Sequence, residues 1–167
     1  MNSKEITVPA KQKFNQVGDG YLKLKLLENS SALLGMKYIQ EVILISIDIV
    51  TPMPNMPSCV LGLINWRNRI LWLIDLPKML GLHPIDINQR QYNVVIINVD
   101  SIVFGFAVYG IEGTTKLPSD AIKSHEEEIT SNLAPFLKGY AYQQKETLWV
   151  LDVAAIVKSS ILYSHHS

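Results

Sequence analysis

The chain has 167 residues with 15 acidic and 15 basic side chains, and 48% of its residues are hydrophobic. The zero net charge argues against a nucleic-acid-binding protein, because such proteins carry a basic excess on one face. The single cysteine excludes an intramolecular disulfide, and no apolar run approaches the ~20 residues that cross a bilayer. Since the amino terminus lacks the apolar core of a signal peptide, we expect a cytoplasmic protein.

The first half of the sequence predicts short strands separated by turns. Residues 1–18 are polar, without a helix or strand period, and are expected to form a flexible tail. Residues 21–28, YLKLKLLE, begin by alternating leucines with a tyrosine and two lysines, which predicts a half-buried strand. The turn ENSS then leads into a returning strand, ALLGMKYI. Three prolines in TPMPNMP, residues 51–57, exclude a central strand and indicate an extended connector.

A further hairpin occurs twice in the chain. Residues 62–76, GLINWRNRILWLIDL, align without a gap with residues 139–153, GYAYQQKETLWVLDV, at a constant separation of 77. In the first copy, apolar side chains occupy both alternating faces of ILWLIDL, so this strand is expected to be mostly buried. The matched pairs are Gly62 and Gly139, Trp72 and Trp149, and Asp75 and Asp152.

A weaker similarity extends this repeat upstream. Residues 21–42 align with residues 92–113 at a separation of 71, apart from one slip of a single residue. The matched pairs here are Tyr21 and Tyr92, and Glu41 and Glu112. Each half, with lobes at about 21–88 and 92–157, runs as hairpin, connector, hairpin and short helix. Such units suit two five-stranded β-barrels, which remove exposed edges by closing. We therefore expect a mainly β protein with a binding groove at the seam between two barrels.

An aspartate precedes the predicted helix at the end of each half. Asp75 is followed by LPKMLGL, in which Pro77 suits a first turn and Gly81 a helix end. Asp152 stands in the same place before VAAIVKSSIL, the predicted C-terminal helix. An aspartate in a sheet can serve as a catalytic acid, but two at equivalent helix starts favour capping. The apolar stripe of the C-terminal helix is predicted to be Val153, Ile156, Val157 and Ile161.

Residue types that catalyse reactions or bind metals are few and scattered. No pair of histidines has ligand spacing, and Cys59 has no nearby histidine, so a buried filler role is expected. The acidic run at 126–128 is interpreted as a solvated surface, with a partner-binding patch as the alternative. Because phosphate-binding loops and nucleophile elbows are also missing, we predict no enzyme activity, no metal and no cofactor. The histidines are His83, His125, His165 and His166.

The tip of the first repeated hairpin is unusual because the polar stretch NWRNR interrupts two apolar runs. Arg67 and Asn68 stand where a tight turn is needed, and asparagine tolerates the left-handed backbone of such turns. One interpretation is an exposed turn whose arginines face water. The other is a binding site, in which Trp66 flanks Arg67 and an approach of Glu41 to Arg67 sets the geometry at the seam. The second copy carries QQKE instead.

Taken in order, these segments resemble the CheW family of chemotaxis coupling adaptors. The matching segments are YLKLKLL, YIQEV, VTPMPNMPSCVLGLINWRNRILWLIDL, VVIINVD, FGFAVYGIEG and YAYQQKETLWVLDVAAIV. The resemblance implies two five-stranded SH3-like barrels over residues 19–160, followed by a tail at 161–167. It also implies a non-catalytic adaptor that couples the cytoplasmic tip of a methyl-accepting chemoreceptor, or a phototaxis-type receptor, to the regulatory domain of the histidine kinase CheA. Such an adaptor controls motility from the cytoplasm, where it is recruited to receptor arrays without inserting into the membrane.

The resemblance further implies two sets of contact residues. The receptor-binding groove of the family maps onto Ile39, Glu41, Val60, Gly62 and Arg67. The kinase-binding surface maps onto Ile102, Val103, Phe104 and Phe106. The chain departs from the family at the tip, where WRN replaces the usual Leu-Arg-Gly, and Trp72 stands where the family often has a polar residue or proline. The bulk of Trp66 is expected to change which receptor fits.

Two other functional classes are compatible with a small barrel. One is a single-stranded nucleic-acid-binding protein that uses Trp66, Trp72 and Arg67 as a stacking platform, although the zero net charge weighs against it. The other is a sensor that holds a small molecule in the seam between the barrels. A salt-dependent gel shift would support the first, and one strong hit in a thermal-shift screen would support the second.

Overall fold

The structure is a computed structural model that describes residues 18–27, 30–86, 88–124 and 133–163. The described residues form ten strands, two short α-helices and several 3₁₀ turns, so the mainly β prediction is confirmed. Residues 1–17 of the predicted tail, the acidic run at 126–128 and three of the histidines, His125, His165 and His166, lie outside the described residues. The strands are β1 (Asp19–Leu27), β2 (Ser30–Gly35), β3 (Ile39–Ser46), β4 (Val60–Trp66), β5 (Arg69–Asp75), β6 (Gln91–Val99), β7 (Ile102–Val108), β8 (Gly110–Leu117), β9 (Leu137–Gln143) and β10 (Glu146–Leu151), and the helices are α1 (Leu76–Met79) and α2 (Val153–Val157).

The strands form two five-stranded sheets of the same topology. The terminal sheet has the order β8-β1-β2-β10-β9 and draws on both ends of the chain, whereas the central sheet has the order β3-β6-β7-β5-β4. Neighbouring strands are antiparallel except for two equivalent parallel pairs, β2 with β10 and β5 with β7. Side chains from the two edge strands of each sheet contact each other, as described below. Each sheet therefore curls into a small barrel, and the predicted pair of five-stranded barrels is confirmed.

The two halves of the sequence exchange strands between the sheets. The terminal sheet combines the first two strands of the chain with the last three, and the central sheet contains the five strands between them. The chain enters the central sheet through the 3₁₀ turn Met36–Tyr38 and leaves it at Tyr109. The halves at 21–88 and 92–157 are therefore repeats of sequence, and neither of them corresponds to one sheet.

The strand ladders give the register of the repeat. The β4–β5 and β9–β10 hairpins keep the separation of 77, since Val60 pairs with Ile74 and Leu137 pairs with Leu151. Strands β1 and β6 are equivalent at a separation of 73 residues, not 71, because Leu24 and Ile97 occupy the same place in their sheets. Leu24 pairs with Ala32 on β2 and Ile111 on β8. Ile97 pairs with Phe104 on β7 and Ile39 on β3, which are the equivalent strands. Side chains alternate with a period of two, so the sequence pattern cannot distinguish these two separations.

The register also corrects the match of Glu41 with Glu112. A bulge leaves Gln40 unpaired in β3, and the equivalent bulge leaves Glu112 unpaired in β8. Glu112 is thus the counterpart of Gln40, and Gly113 is the counterpart of Glu41. The central barrel therefore has a carboxylate at a position where the terminal barrel has none.

The buried side chains form one cluster in each barrel and a larger cluster between the barrels. Leu22, Leu24 and Leu26 belong to the cluster between the barrels, which confirms the predicted alternation in β1. The strand β5 is buried from Leu71 to Asp75 apart from the half-buried Trp72, whereas Ile70 near the tip is 62% exposed. The prediction of a mostly buried strand is thus correct for the part of β5 away from the hairpin tip.

Both predicted helix caps are confirmed. Asp75 Oδ1 accepts a hydrogen bond from Lys78 N, and Asp152 Oδ1 accepts one from Ala155 N, each at 3.0 Å. The helices are shorter than the apolar pattern predicts, since α2 ends at Val157 and a 3₁₀ turn, Ser160–Tyr163, follows. This break shifts the phase of the stripe, so Ile161 is 42% exposed and Leu162 is buried in its place.

An ion pair and a side-chain hydrogen bond join the two sequence halves inside the terminal sheet. Lys23 Nζ on β1 lies 2.9 Å from Glu146 Oε1 on β10. The hydroxyl of Ser31 on β2 donates a 2.6 Å hydrogen bond to Glu112 Oε1 on β8. The hydrogen bond from Lys23 lowers the pKa of the Glu146 carboxyl below its ordinary value. These contacts favour the exchanged arrangement, because each joins a strand of the first half to a strand of the second.

We expect Lys23→Met to lower the free energy of unfolding by less than about 1 kcal/mol, since the pair is partly exposed to solvent. Because the folded-state pKa of Glu146 is depressed, the stabilisation is present above the unfolded pKa of about 4.3. It is lost as the pH falls through the lower folded pKa. Urea unfolding of both proteins at about pH 7 and about pH 3 measures the difference. Lys158→Met is the matched control, because its pair with Asp100 is more exposed; a gap between wild type and Lys23→Met that persisted in acid would contradict the assignment.

Candidate functional site

The tip of the β4–β5 hairpin is a tight turn formed by two residues with left-handed backbone. Arg67 and Asn68 have φ angles of 51° and 64°, as a two-residue hairpin turn requires. Asn65 Oδ1 accepts a 3.1 Å hydrogen bond from Asn68 N and holds the turn from the preceding strand. The predicted turn is confirmed, and it places the Arg67 side chain at the end of the central barrel.

Three donors from the tip converge on one carboxylate oxygen. The indole Nε1 of Trp66 donates to Glu41 Oε1 at 2.8 Å. Arg67 Nε donates to the same oxygen at 3.3 Å, and Arg67 Nη2 lies 3.2 Å from it. The guanidinium carbon of Arg67 also lies 5.2 Å from the centroid of the Trp66 ring, within the range of a cation–π contact. Glu41 and Arg67 are therefore in contact, as the binding-site interpretation of the tip requires, and Trp66 is part of the same cluster.

This cluster closes the central barrel. Glu41 lies on β3 and Trp66 on β4, the two edge strands of the central sheet. A second closing contact lies further along β4, where Thr51 and Leu63 exchange backbone hydrogen bonds of 2.9 and 2.8 Å. Gly62 permits this approach, because a Cβ built on it would lie 2.3 Å from the carbonyl oxygen of Thr51. Side chains and backbone thus bring the two edges together.

The terminal barrel closes with neutral groups on the strands equivalent to β3 and β4. Gln143, the counterpart of Trp66, donates a 2.9 Å hydrogen bond from Nε2 to Thr115 Oγ1 on the opposite edge strand. Lys123 and Tyr140 exchange the backbone hydrogen bonds that correspond to those of Thr51 and Leu63. A Cβ on Gly139 would lie 2.2 Å from the carbonyl oxygen of Lys123. Among the described residues, a charged and aromatic cluster joins the two edge strands of the central barrel, and a neutral pair joins those of the terminal barrel.

The other residues predicted for the receptor groove lie on the same two edge strands. Ile39 and Val60 are half-buried and pack against the cluster between the barrels, while Gly62 is buried. Val60 also lines an apolar cavity of about 210 Å³. Glu41 and Arg67 are thus in contact, whereas Ile39, Val60 and Gly62 lie closer to the core. The remaining lining residues of the cavity are Met56, Trp72, Ile74, Phe104, Leu162 and Tyr163.

The residues predicted for the kinase contact lie on β7, inside the central sheet. Phe106 is fully buried and Phe104 is 7% exposed, and both belong to the cluster between the barrels. Ile102 and Val103 are half-buried. The two phenylalanines are therefore core residues, and of these four residues only Ile102 and Val103 are partly exposed.

Three exposed apolar side chains on β3 and β5 were not among the predicted site residues. Val42 and Leu44 on β3 are 42% and 58% exposed, and Ile70 on β5 is 62% exposed. Val42 and Leu44 alternate along β3 with Glu41 and with side chains that pack inside the central barrel. The period-two pattern of β3 was a usable signal, since it places Val42 and Leu44 on the face opposite to Glu41.

Asp75 and Cys59 are buried titratable groups, and each has a structural role. Asp75 is 3% exposed, and its second oxygen, Oδ2, accepts a 3.1 Å hydrogen bond from Ile85 N. Burial raises the pKa of the Asp75 carboxyl and of the Cys59 thiol, and Cys59 fills the core as predicted. Within the described ranges, no three histidine, cysteine, aspartate or glutamate residues come together to hold a metal ion. None of the helices in these ranges is long and apolar enough to cross a membrane.

The fold defines a protein of two five-stranded barrels that pack together around a common core. It is similar to the crystal structure of the scaffolding protein TtCheW from Thermoanaerobacter tengcongensis, with a TM-score of 0.69 and 19% sequence identity over 81% of this chain and 90% of that one. The model of the CheW-like domain matches residues 24–160. The chain therefore belongs to the CheW-like domain family, as the sequence resemblance predicted.

Two relatives support this membership. The chain is 30% identical over 107 residues to a probable chemotaxis protein CheW of Rhizobium etli, a match that covers 64% of this chain and 68% of that protein. It is 24% identical over 149 residues to the chemotaxis protein CheW of Treponema pallidum, covering 87% of this chain and 88% of the relative. The similarity therefore extends across most of both sequences in the second case.

Proposed function

We propose that this protein is a non-catalytic scaffold of a chemotaxis-type pathway, which couples the cytoplasmic tip of a methyl-accepting receptor to the regulatory domain of a CheA-type histidine kinase. The observation that carries the proposal is the cluster of Glu41, Trp66 and Arg67 at the closure of the central barrel in a CheW-like fold. The names of the relatives support the pathway. The protein acts in the cytoplasm and joins membrane receptor arrays through its partners.

The receptor contact is proposed to centre on Arg67. Its side chain is 69% exposed although Glu41 fixes it at the tip, and a pre-oriented arginine beside apolar surface is a common anchor of protein interfaces. Val42 and Leu44, on the strand that carries Glu41, and Ile70, three residues after Arg67, are the exposed apolar side chains of these strands. Ile39, Val60 and Gly62 support this surface from the core side; they belong to the proposed groove through the closure of β3 on β4.

The kinase contact is proposed to include Ile102 and Val103, with Phe104 and Phe106 anchoring β7 beneath them. Signalling contacts commonly bury near or below ~1,200 Å² and are individually weak. An adaptor with two such contacts works in an array, where each bound partner raises the effective concentration of the next. Two separate surfaces are therefore enough for coupling without any reaction.

We expect Arg67→Glu to weaken binding of a receptor cytoplasmic fragment by about 10- to 100-fold, because the change removes the anchor and places two carboxylates together. Isothermal titration calorimetry with the receptor fragment measures the loss. Arg69→Glu is the matched control: Arg69 lies two residues away, is exposed, and makes no ion pair within the described ranges. Equal losses for the two variants would remove Arg67 from the receptor contact.

A separate experiment tests the adaptor role itself. The wild-type protein is mixed with the receptor fragment and the kinase regulatory domain, and the sedimentation of each pair and of the three together is measured. We expect a ternary species larger than either pair. If the folded wild-type protein bound neither partner, or if the two partners excluded each other, coupling by this scaffold would be ruled out.

A further inference from the structure

We infer that Trp66 is a positioning residue that sets partner specificity, because it holds Glu41 and Arg67 as one recognition unit. This inference rests on the proposed receptor contact and names the chemistry that the contact selects. A matching partner presents a hydrogen-bond acceptor, such as a carboxylate, to the outward side of Arg67 and a donor to the free oxygen of Glu41.

The hydrogen bonds at Glu41 define this chemistry. Oε1 receives the indole N–H of Trp66 and two contacts from Arg67. Oε2 accepts no hydrogen bond from the residues that the structure describes. Glu41 is half-buried, and a carboxylate oxygen in that position is a strong acceptor for a donor of the partner. Arg67 uses Nε and Nη2 toward Glu41, so the rest of its guanidinium faces outward.

The role of Trp66 exceeds what barrel closure needs. Gln143 occupies the equivalent position in the terminal barrel and joins the same two edges through a neutral amide. Closure therefore requires a donor of modest size, and neither an aromatic ring nor a carboxylate. Trp66 combines a donor to Glu41 with a ring that lies 5.2 Å from the guanidinium of Arg67. Both contacts restrict the rotamers of the two charged side chains, so fewer conformations are lost when a partner binds.

The test uses two substitutions that separate these contacts. Trp66→Phe keeps a ring and removes the indole N–H, whereas Trp66→Gln keeps a donor of the kind that closes the terminal barrel and removes the ring. Affinities are measured by calorimetry for two receptor cytoplasmic fragments with different tip sequences, together with the melting temperature of each variant. Trp66→Phe is expected to bind the preferred fragment about 10-fold more weakly, with the preference between fragments reduced to a similar degree. Trp66→Gln is expected to melt below wild type, because Trp66 packs against the core of the central barrel, and to lose more affinity than its unfolded fraction explains.

Coupling to Glu41 gives the decisive comparison. In a Glu41→Ala background the indole N–H has no carboxylate to hold, so adding Trp66→Phe should change the affinity by less than about 2-fold. The inference is overturned if both Trp66 variants keep wild-type affinity and preference, or if the loss is the same with and without Glu41. If the wild-type protein binds no receptor fragment, the proposed function fails and the inference fails with it; if wild type binds and the Trp66 variants bind equally well, only the inference fails.

Discussion

Replacing Gly62 by alanine is expected to lower the free energy of unfolding by about 2–6 kcal/mol. The φ angle of Gly62 is 148°, which side chains rarely adopt, and this strain contributes about 1–3 kcal/mol. The new Cβ would also lie 2.3 Å from the carbonyl oxygen of Thr51, and such overpacking adds about 1–3 kcal/mol. That carbonyl accepts the hydrogen bond of Leu63 N, so moving it breaks the closure of the central barrel.

Gly113→Ala separates the two contributions. Gly113 has a φ angle of 131°, but no atom lies within 4 Å of the position of its Cβ, so only the backbone strain applies. Gly139→Ala should resemble Gly62→Ala, because its Cβ would lie 2.2 Å from the carbonyl oxygen of Lys123. Urea unfolding followed by tryptophan fluorescence gives the three values. If Gly113→Ala were as destabilising as Gly62→Ala, the close approach to Thr51 would not be the main cause.

The expected destabilisation by Gly62→Ala also concerns receptor binding, because Gly62 is one of the proposed groove residues. Gly62 is buried, so we expect it to affect receptor binding through the closure of the barrel. The receptor affinity of Gly62→Ala should therefore decrease in proportion to its unfolded fraction, and conditions that refold the variant should restore it. Arg67→Glu should differ, since its loss of affinity occurs in a fully folded protein.

Asp75→Ala is expected to lower the free energy of unfolding by about 3 kcal/mol. The change removes a helix cap, which contributes about 1 kcal/mol, and leaves the N–H of Ile85 without its acceptor in a buried place, which costs about 1–3 kcal/mol. Both carboxylate oxygens of Asp75 are used, at 3.0 Å by Lys78 N and at 3.1 Å by Ile85 N. The bond to Ile85 ties the segment after α1 back onto the end of β5.

Asp152→Ala is the matched control, because Asp152 occupies the equivalent position and, among the described residues, its side chain accepts only the capping hydrogen bond. Its Oδ1 accepts from Ala155 N at 3.0 Å, and the residue is half-buried. We expect Asp152→Ala to lower the free energy of unfolding by about 1 kcal/mol. Thermal unfolding of both variants measures the contrast. Equal values would mean that the contact between Asp75 and Ile85 adds nothing to stability.

Much of the local structure could be predicted from consecutive residues. The caps at Asp75 and Asp152 and the turn at Arg67 and Asn68 depend on contacts within three or four residues, and the separation of 77 between the repeated hairpins is visible in the printed sequence. These features follow from short-range chemistry, which the order of residues specifies directly.

The remaining features needed the tertiary structure. An alternating pattern shows which side chains share a face but does not identify the neighbouring strand, so the exchange of strands and the separation of 73 between Leu24 and Ile97 could not be read from it. For the same reason Phe104 and Phe106 appeared available to a partner, although packing between the barrels buries them. The caps, the turns and the repeated hairpins depend on residues that are close together in the chain, so they could be predicted without a structure. Only the folded chain decided that Trp66 reaches Glu41, 25 residues away, because this contact exists once the sheet curls and its two edges meet.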